Sequence, residues 1–261
     1  WYAERQEMQQ KMRDCGDNEI EREYWDKRQL VKKINLNSLY GAILNPGCRF
    51  FDIRIGQSVT LTGRCITKHM GAKVNEIVAG KYDHKGESVV YGDTDSVYFS
   101  AFKTLKKEID EGLIPWTKDS VLGLYDKIAE EVNGSFKAFM TKAFHTPSTR
   151  GEVIKAGREL VASKGLFITK KRYAVLYYDV EGKRTDVEGK EGKMKAMGLD
   201  LKRSDTPVFV QDFLSEVLYM VLQGKDEKIV LDRISEFRAE FKARPGWEKG
   251  SPKRANNMTK Y

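Results

Sequence analysis

Residues 88–99 read Ser-Val-Val-Tyr-Gly-Asp-Thr-Asp-Ser-Val-Tyr-Phe. Two short runs of valine and aromatic residues flank a Gly-Asp-Thr-Asp segment, and this pattern predicts a β-hairpin. We expect Gly92 to permit the tight turn, because glycine adopts backbone conformations that other residues avoid. The valines and aromatics are expected to anchor the two strands, so that the fold contains at least one antiparallel strand pair.

Asp93 and Asp95 lie two residues apart at the predicted tip of this hairpin. Two carboxylates about 4 Å apart repel each other by roughly 4 kcal/mol at an effective dielectric constant near 20. A divalent cation would offset this repulsion, and Mg²⁺ is the ion that usually bridges carboxylates to phosphates. Asp-x-Asp also occurs in ordinary turns, because aspartate favours them, and in nucleotide-sugar glycosyltransferases. The tripeptide alone therefore does not select a reaction.

Helical patterns surround the hairpin. A turn at Gly16-Asp17-Asn18 separates two predicted helices within residues 1–44, and the second is expected to run from Glu19 to Ile43. Further helices are predicted over residues 56–79, 118–143, 207–222 and 226–241. Residues 151–179 show strand patterns, and residues 181–195 are expected to form a loop because they are rich in glycine and charge. Together these patterns predict an α+β fold, with a small antiparallel sheet packed against helices.

A stripe of three functional side chains is predicted on the second helix. Lys33, Asn37 and Tyr40 have offsets of 0, 4 and 7, which place them on one helical face. A cation, an amide and a flat aromatic ring on one face could serve a triphosphate, a polar contact and a base pair. A solvated amphipathic helix is the alternative interpretation of the same stripe.

Both motifs resemble family B (alpha-like) DNA polymerases. Tyr-Gly-Asp-Thr-Asp-Ser is similar to motif C of that family, and Lys-x-x-x-Asn-Ser-x-Tyr-Gly is similar to motif B. The resemblance implies that Asp93 and Asp95 bind Mg²⁺ in a two-ion catalytic site, with Asp95 the bridging ligand and Asp93 more peripheral. It also implies that Lys33 contacts the incoming triphosphate and donates a proton to pyrophosphate, while Asn37 and Tyr40 line the nucleotide pocket.

A basic run, Lys170-Lys171-Arg172-Tyr173, opens a predicted strand. Such a run can be a solvated strand edge, but it resembles the KKRY motif of the same family. That resemblance implies that Lys170, Lys171, Arg172 and Tyr173 bind primer–template DNA. Minor-groove acceptors occur on every base pair, so these contacts could test pair geometry without reading sequence. The formal net charge of +8 also favours a polyanionic partner.

The resemblance extends over nearly the whole chain. Met197-Gly198-Leu199 and the following Ser204-Asp205-Thr206-Pro207 resemble the palm-to-thumb junction of polymerases from T-even-type bacteriophages. It implies that residues 1–45 form the C-terminal part of the fingers as a helical hairpin. Residues 46–196 would form the palm with its small antiparallel sheet, and residues 197–261 a partial helical thumb. By the same resemblance, the protein acts in the cytoplasm of an infected bacterial host.

Motif A of the family, Asp-x-x-Ser-Leu-Tyr-Pro, does not occur in these 261 residues. We therefore expect the chain to be one portion of a longer or split polymerase, nearly inactive alone, which needs a carboxylate from a missing N-terminal portion. The partners implied are primer–template DNA, a deoxynucleoside triphosphate, that missing portion and a sliding clamp. A DNA-binding fragment without turnover is the alternative hypothesis.

Other site classes have little support in the sequence. The three cysteines are odd in number and lack Cys-x-x-Cys spacing, which favours reduced thiols over disulfides or a zinc site. No uninterrupted apolar stretch reaches the roughly 18 residues that a membrane span needs. The first residues read as part of a helix of something longer, not as a signal peptide.

Overall fold

The computed structural model describes residues 1–187, 189 and 191–251, and the chain divides into two compact units, Trp1–Lys68 and His69–Tyr261. The first unit contains α1 (Tyr2–Asp14) and α2 (Glu19–Ile43), and the point of division lies within α3 (Ile53–Ala79). The fingers, palm and thumb boundaries predicted from the sequence remain a prediction.

Polar and cation–π contacts hold α1 and α2 together. Gly16 adopts a φ of 55° in the turn between them, and the Asn18 side chain accepts a hydrogen bond from the Glu21 amide at the start of α2. Glu4 and Lys32 form an ion pair across the two helices, and the Lys11 ammonium lies 4.6 Å from the centre of the Trp25 ring. No residue of α1 or α2 is buried. This hairpin is therefore not organised around a hydrophobic core of its own.

The first two strands of the second unit form the β-hairpin that the sequence predicts. Two antiparallel strands form it, and three helices follow: β1 (Val89–Asp93), β2 (Ser96–Phe99), α4 (Lys106–Asp110), α5 (Lys118–Phe144) and α6 (Ser148–Gly151). Buried residues recur along one face of α5 at helical spacing: Val121, Ile128, Val132, Phe136 and Met140. The helix begins with a capping box in which Thr117 and Ser120 exchange hydrogen bonds.

A four-stranded antiparallel sheet forms the rest of the β structure. Its strands are β3 (Leu160–Thr169), β4 (Arg172–Val180), β5 (Lys183–Arg184) and β6 (Lys193–Met197). β4 is central, paired with β3 on one side and with β5 and β6 on the other. A 3-10 turn at Asp200–Lys202 and three helices follow: α7 (Val208–Gln223), α8 (Glu227–Ala243) and α9 (Gly246–Lys249).

Two hydrophobic clusters pack against the central strand. Ala174 and Leu176 of β4 lie in one cluster with Leu222 of α7, and Tyr178 of β4 lies in the other with Val121 of α5. Successive side chains of a strand point to opposite faces, and both Ala174 and its neighbour Val175 are buried. The sequence of β4 is therefore almost continuously apolar and does not alternate with polar residues. Packing of β4 in these clusters thereby holds the β3–β4 hairpin in place.

The predicted α+β class agrees with this mixture of helices and small antiparallel sheets. The prediction of a loop over residues 181–195 is wrong where β5 and the first residues of β6 pair with β4. The basic run is also placed differently from the prediction. Lys170 and Lys171 form the turn between β3 and β4, with φ of 62° at Lys171, and the strand begins at Arg172. Within the described residues, no helix is long and apolar enough to cross a membrane.

Candidate active site

The β1–β2 hairpin presents its two aspartates at a two-residue turn. Asp93 pairs with Ser96 as the last register position, so Thr94 and Asp95 form the turn. Thr94 carries the positive φ, 33°, whereas Gly92 lies within β1 opposite Val97 and has no positive φ. A Cβ built on Gly92 would lie 3.5 Å from the Ser96 carbonyl oxygen, which is an ordinary contact. The expectation that Gly92 permits the turn is therefore wrong.

The two carboxylates of this hairpin have different surroundings. Asp93 accepts hydrogen bonds from the Lys171 ammonium at 2.8 Å, the Tyr91 hydroxyl at 3.3 Å and the Thr94 hydroxyl at 3.1 Å. The Lys171 ammonium is the main reason that the pKa of Asp93 lies below its usual value. Asp95 is exposed, and its side chain forms no hydrogen bond or ion pair with any residue that the structure describes. The carboxylate of Asp95 is therefore the one open to a ligand.

A cluster of four aromatic rings joins this hairpin to the β3–β4 hairpin. Tyr91 and Tyr98 contribute from the first, and Phe167 and Tyr173 from the second, with ring centres 5.3–5.8 Å apart. The hydroxyls of Tyr98 and Tyr173 are 2.9 Å apart, and burial together with this hydrogen bond raises the pKa of Tyr98. The cluster fixes the two hairpins against each other, as expected for edge-to-face and offset ring packing.

The tip of the β3–β4 hairpin carries the basic run. Lys170, Lys171 and Arg172 are exposed, while Tyr173 is only 7% exposed and belongs to the aromatic cluster. The Lys171 amide donates to the Tyr91 hydroxyl at 3.0 Å, and Arg172 Nε donates to the Gly198 carbonyl at 3.1 Å. The structure thus supports solvent-facing roles for the three cations and a packing role for the Tyr173 ring.

Gly198 lies in close contact with the Lys170–Lys171 turn. Its φ is 63°, and a Cβ built on it would lie 2.1 Å from the Lys171 carbonyl oxygen. Main-chain atoms of a turn cannot move aside as the end of a flexible side chain can. Glycine is therefore required here both by the backbone conformation and by the space available.

Gly198→Ala is expected to lower the free energy of unfolding by about 2–4 kcal/mol, because it adds an unfavourable backbone conformation to a steric overlap. Gly182→Ala is the matched control, since Gly182 has a φ of 82° but open space around its Cβ position. The control is expected to lose only about 1–2 kcal/mol. Urea denaturation of both variants measures the difference, and equal losses would show that the overlap with Lys171 is relieved at no cost.

The predicted nucleotide stripe lies in the first unit. Lys33, Asn37 and Tyr40 belong to the uninterrupted helix α2, so their spacing does place them on one face. The side chains of Lys33 and Asn37 are exposed, and neither side chain has a hydrogen bond or ion pair within the described part of the chain. Tyr40 is half-buried, and its hydroxyl donates to the Gly56 carbonyl at 3.3 Å. The stripe therefore offers a free ammonium, a free amide and an anchored ring.

The sequence of the chain matches one family over almost its whole length. A family model described as DNA polymerase family B covers residues 1–246. The chain belongs to DNA polymerase family B. It is 35% identical over 245 residues to the DNA-directed DNA polymerase of Escherichia phage RB69, which covers 89% of this chain and 26% of that protein.

Other family B relatives are similar over much of the same region. The DNA-directed DNA polymerase of Enterobacteria phage T4 is 30% identical over 249 residues, covering 89% of this chain and 26% of the phage protein. The DNA polymerase delta catalytic subunit of Oryza sativa subsp. japonica is 30% identical over 209 residues, covering 79% of this chain and 16% of the plant protein. The chain thus spans about a quarter of the length of the two phage relatives.

The hairpin was predicted from the sequence to bind a metal ion through Asp93 and Asp95. Among the residues that the structure describes, no group of three or more histidine, cysteine, aspartate or glutamate side chains could hold a metal ion. The oxygen chemistry of Asp95, with Asp93 beside it in the chain, fits a hard divalent cation. These two residues do not complete its coordination by themselves.

Several residues that shape the site were not predicted from the sequence. The Tyr91 hydroxyl contacts both Asp93 and the Lys171 amide, and Tyr98 and Phe167 complete the aromatic cluster. The sequence does place these three aromatic residues in predicted strands beside the two turns, and this position could have indicated that they pack near the site. The sequence alone does not show that the two hairpins meet, since the contact joins residues 78 positions apart.

Proposed function

We propose that this chain is part of a DNA polymerase that transfers nucleotides from deoxynucleoside triphosphates to the 3′-hydroxyl of a DNA primer. The observation that carries the proposal is the contact between two segments that resemble family B motifs, in which the Lys171 ammonium of the β3–β4 turn lies 2.8 Å from the Asp93 carboxylate of the β1–β2 hairpin. Basic side chains that could bind the DNA phosphates therefore lie beside carboxylates that could bind a metal ion. Phosphoryl transfer on DNA needs both, because its catalysis rests on positioning and charge neutralisation.

Each part of the proposed site has its own role. Asp95 would hold a divalent metal ion, with Asp93 more peripheral, and Mg²⁺ is the ion whose chemistry suits carboxylate and phosphate oxygens. A bound pair of such ions would activate the primer hydroxyl and stabilise the leaving oxygens. Lys170, Lys171 and Arg172 would bind primer–template DNA, with the buried Tyr173 ring fixing their strand.

The exposed stripe of α2 supports the proposed nucleotide site. Lys33 would contact the triphosphate and supply a proton to pyrophosphate, and Asn37 and Tyr40 would line the pocket of the new base pair. The free ammonium of Lys33 and the fixed hydroxyl of Tyr40 support these roles. Family membership leaves the nucleotide-sugar interpretation of Asp-x-Asp without support.

We further propose that the chain is almost inactive on its own. It contains no motif A, and it spans 26% of the length of each phage relative. A missing N-terminal polymerase portion would supply the remaining carboxylate, and a sliding clamp is a further proposed partner. The phage relatives support a viral protein that acts within an infected bacterial host.

A second candidate function is a DNA-binding fragment without turnover. The ion pair between Asp93 and Lys171 favours it, because one of the two hairpin carboxylates is already neutralised by the protein. The two functions differ in what Asp95 does. A DNA-binding fragment keeps its function in Asp95→Asn, whereas a polymerase portion loses synthesis when completed with its missing part.

DNA binding is tested by measuring the fluorescence anisotropy of a labelled primer–template at 50–200 mM salt. We expect binding that weakens steeply, since each neutralised phosphate contributes a slope of about −0.9 to log K against log salt. Lys170→Ala is expected to weaken binding and to reduce the slope by about one unit. Lys228→Ala, on an exposed position of α8, is the control and should leave both unchanged. Absence of binding at 50 mM salt, or binding independent of salt, would contradict the proposal.

A further inference from the structure

A buried asparagine of α3 holds both ends of the loop that leads into β1. Asn75 is only 2% exposed. Its amide nitrogen donates to the Lys81 carbonyl at 2.7 Å, and its amide oxygen accepts from the Ser88 amide at 3.2 Å. A buried polar group is costly when it is left without a partner, so these two bonds are strongly favoured. The side chain of Asn75 therefore joins α3 to the residue at which the hairpin begins.

The loop approaches Asn75 so closely that only glycine fits at position 86. A Cβ built on Gly86 would lie 2.1–2.2 Å from three atoms of the Asn75 side-chain amide. Gly86 does not have a positive φ, so glycine is required here by the space available and not by the backbone conformation. A methyl group at this position would have to displace the amide that binds the two ends of the loop.

The strand that follows the loop has an irregular register. Val89 pairs with Phe99, and the next pair along the ladder joins Tyr91 to Tyr98. Val90 is therefore an extra residue, which forms a β-bulge in β1. A pairing without the bulge differs by one residue, and such a shift would turn every later side chain of the strand to the opposite face. The residue at which β1 starts thus decides how the strand presents the hairpin turn.

The bond to Asn75 fixes this starting residue. Ser88 is fully buried, and its carbonyl accepts from the Ser100 amide at 2.8 Å, so it continues the ladder of the hairpin. The amide of the same residue is bound to Asn75. Ser88 is thereby held by the strand pair through one main-chain group and by α3 through the other. The strand cannot shift to the register without the bulge unless the bond to Asn75 breaks.

We propose that Asn75 is a positioning residue for Asp93 and Asp95, because it sets the register in which β1 presents the hairpin turn. This inference rests on the proposed function, since it takes the two carboxylates to serve nucleotide transfer. Asn75 acts through the main chain of the loop and the strand, and it need not touch substrate or metal.

Asn133 offers a matched control on another helix. This α5 residue also bridges main-chain groups of a loop, because its side chain donates to the Ala156 carbonyl and accepts from the Ala156 amide, each at 2.7 Å. That loop leads into β3 and not into the carboxylate hairpin. Asn75→Ala and Asn133→Ala thus each remove one donor and one acceptor from main-chain groups, and they differ in the strand that follows.

Two measurements compare these variants. In a polymerase completed with the upstream segment of a related phage enzyme, Asn75→Ala is expected to lower the single-turnover rate of nucleotide addition by about 10–100-fold, the scale of a small misplacement of reacting groups. Its affinity for primer–template should remain that of the wild type, because the basic turn is unchanged. In the 261-residue chain alone, the amides of residues 88–99 should exchange hydrogen about tenfold faster. Asn133→Ala should retain the wild-type rate, affinity and exchange of these amides.

Gly86→Ala is an independent variant at the same contact. Its methyl group must displace the Asn75 amide, so we expect the same loss of rate and the same faster exchange as in Asn75→Ala. The double variant should be no slower than Asn75→Ala, because the smaller side chain leaves room for the methyl group. If circular dichroism shows that Asn75→Ala is unfolded, Gly86→Ala decides the question in its place.

The inference is overturned, with the proposed function left standing, by a wild-type rate in Asn75→Ala or by equal losses in Asn75→Ala and Asn133→Ala. A Gly86→Ala enzyme with wild-type rate and exchange overturns it as well, as do losses that multiply in the double variant. A completed wild-type enzyme that adds no nucleotide overturns the proposed function instead. Hydrogen exchange in the chain alone still tests whether Asn75 holds the hairpin in that case.

Discussion

Asp95→Asn is expected to lower the rate of nucleotide addition by about 10³-fold or more in a polymerase completed with the upstream segment of a related phage enzyme. Asparagine keeps the size of the side chain but removes the negative charge. Asp95 is the hairpin carboxylate that no described residue engages, so this charge is free to serve the reaction. Single-turnover primer extension measures the loss.

Asp232→Asn is the control for this substitution. Asp232 lies on α8, is exposed, and has no hydrogen bond or ion pair from its side chain within the described residues. The control should retain the wild-type rate, and both variants should bind primer–template. If the Asp95→Asn enzyme kept more than about a tenth of the wild-type rate, the proposed role of Asp95 would be wrong.

Arg158→Leu is expected to lower the free energy of unfolding by about 3–5 kcal/mol. Arg158 forms an ion pair with Asp179, whose side chain is only 2% exposed at the end of β4. Without the guanidinium, Asp179 would keep only the Gly182 amide at 3.2 Å as a donor. An uncompensated buried charge is costly because desolvation is no longer offset.

The second partner of Arg158 provides the control. Asp126 accepts from Arg158 Nε at 2.6 Å but is 52% exposed, so Asp126→Asn should cost no more than about 1 kcal/mol. Arg158→Leu combined with Asp179→Leu should recover much of the loss, because no buried charge remains. Urea denaturation compares the three variants. Similar losses for Arg158→Leu and Asp126→Asn would mean that Asp179 is not buried as described.

Sequence patterns predicted the elements whose signals are local. α2 begins and ends at the predicted residues, α5 differs by one residue at its end, and the carboxylate hairpin forms where expected. The two helices begin at residues that cap helix N-termini, namely Asn18 for α2 and Thr117, with its capping box, for α5. Such elements can be predicted because they depend mainly on local hydrogen bonds and on the spacing of apolar residues, both of which are visible in the sequence.

Elements that depend on tertiary pairing were harder to predict. β6 reads Lys-Met-Lys-Ala-Met, and its apolar residues do alternate, but glycine and charge around it favoured a loop. It becomes a strand because β4 offers a partner edge and because Met194 and Ala196 pack into the cluster beneath. The basic run was predicted to begin a strand because valine and tyrosine residues follow it. In the structure its first two residues, Lys170 and Lys171, lie in the turn, and the strand begins at Arg172.

The sequence proposed the residues of the candidate site but not the contacts between them. Asp93, Asp95 and Lys171 were recognised separately by their motifs, and nothing in their spacing shows that Asp93 and Lys171 meet. The spacing of the two aspartates could not rank them, and only the family resemblance made Asp95 the bridging ligand and Asp93 the more peripheral one. The structure shows that their surroundings differ, because Asp93 accepts a hydrogen bond from Lys171 whereas the Asp95 side chain is exposed.

Primer extension with and without the upstream polymerase segment tests most directly whether Asp93 and Asp95 need a further carboxylate. We expect no detectable nucleotide addition by the 261-residue chain alone in the presence of Mg²⁺, although the chain binds primer–template. We expect synthesis once the segment that carries Asp-x-x-Ser-Leu-Tyr-Pro is added. Efficient Mg²⁺-dependent extension by the chain alone would contradict the claim that Asp93 and Asp95 form only part of the catalytic site.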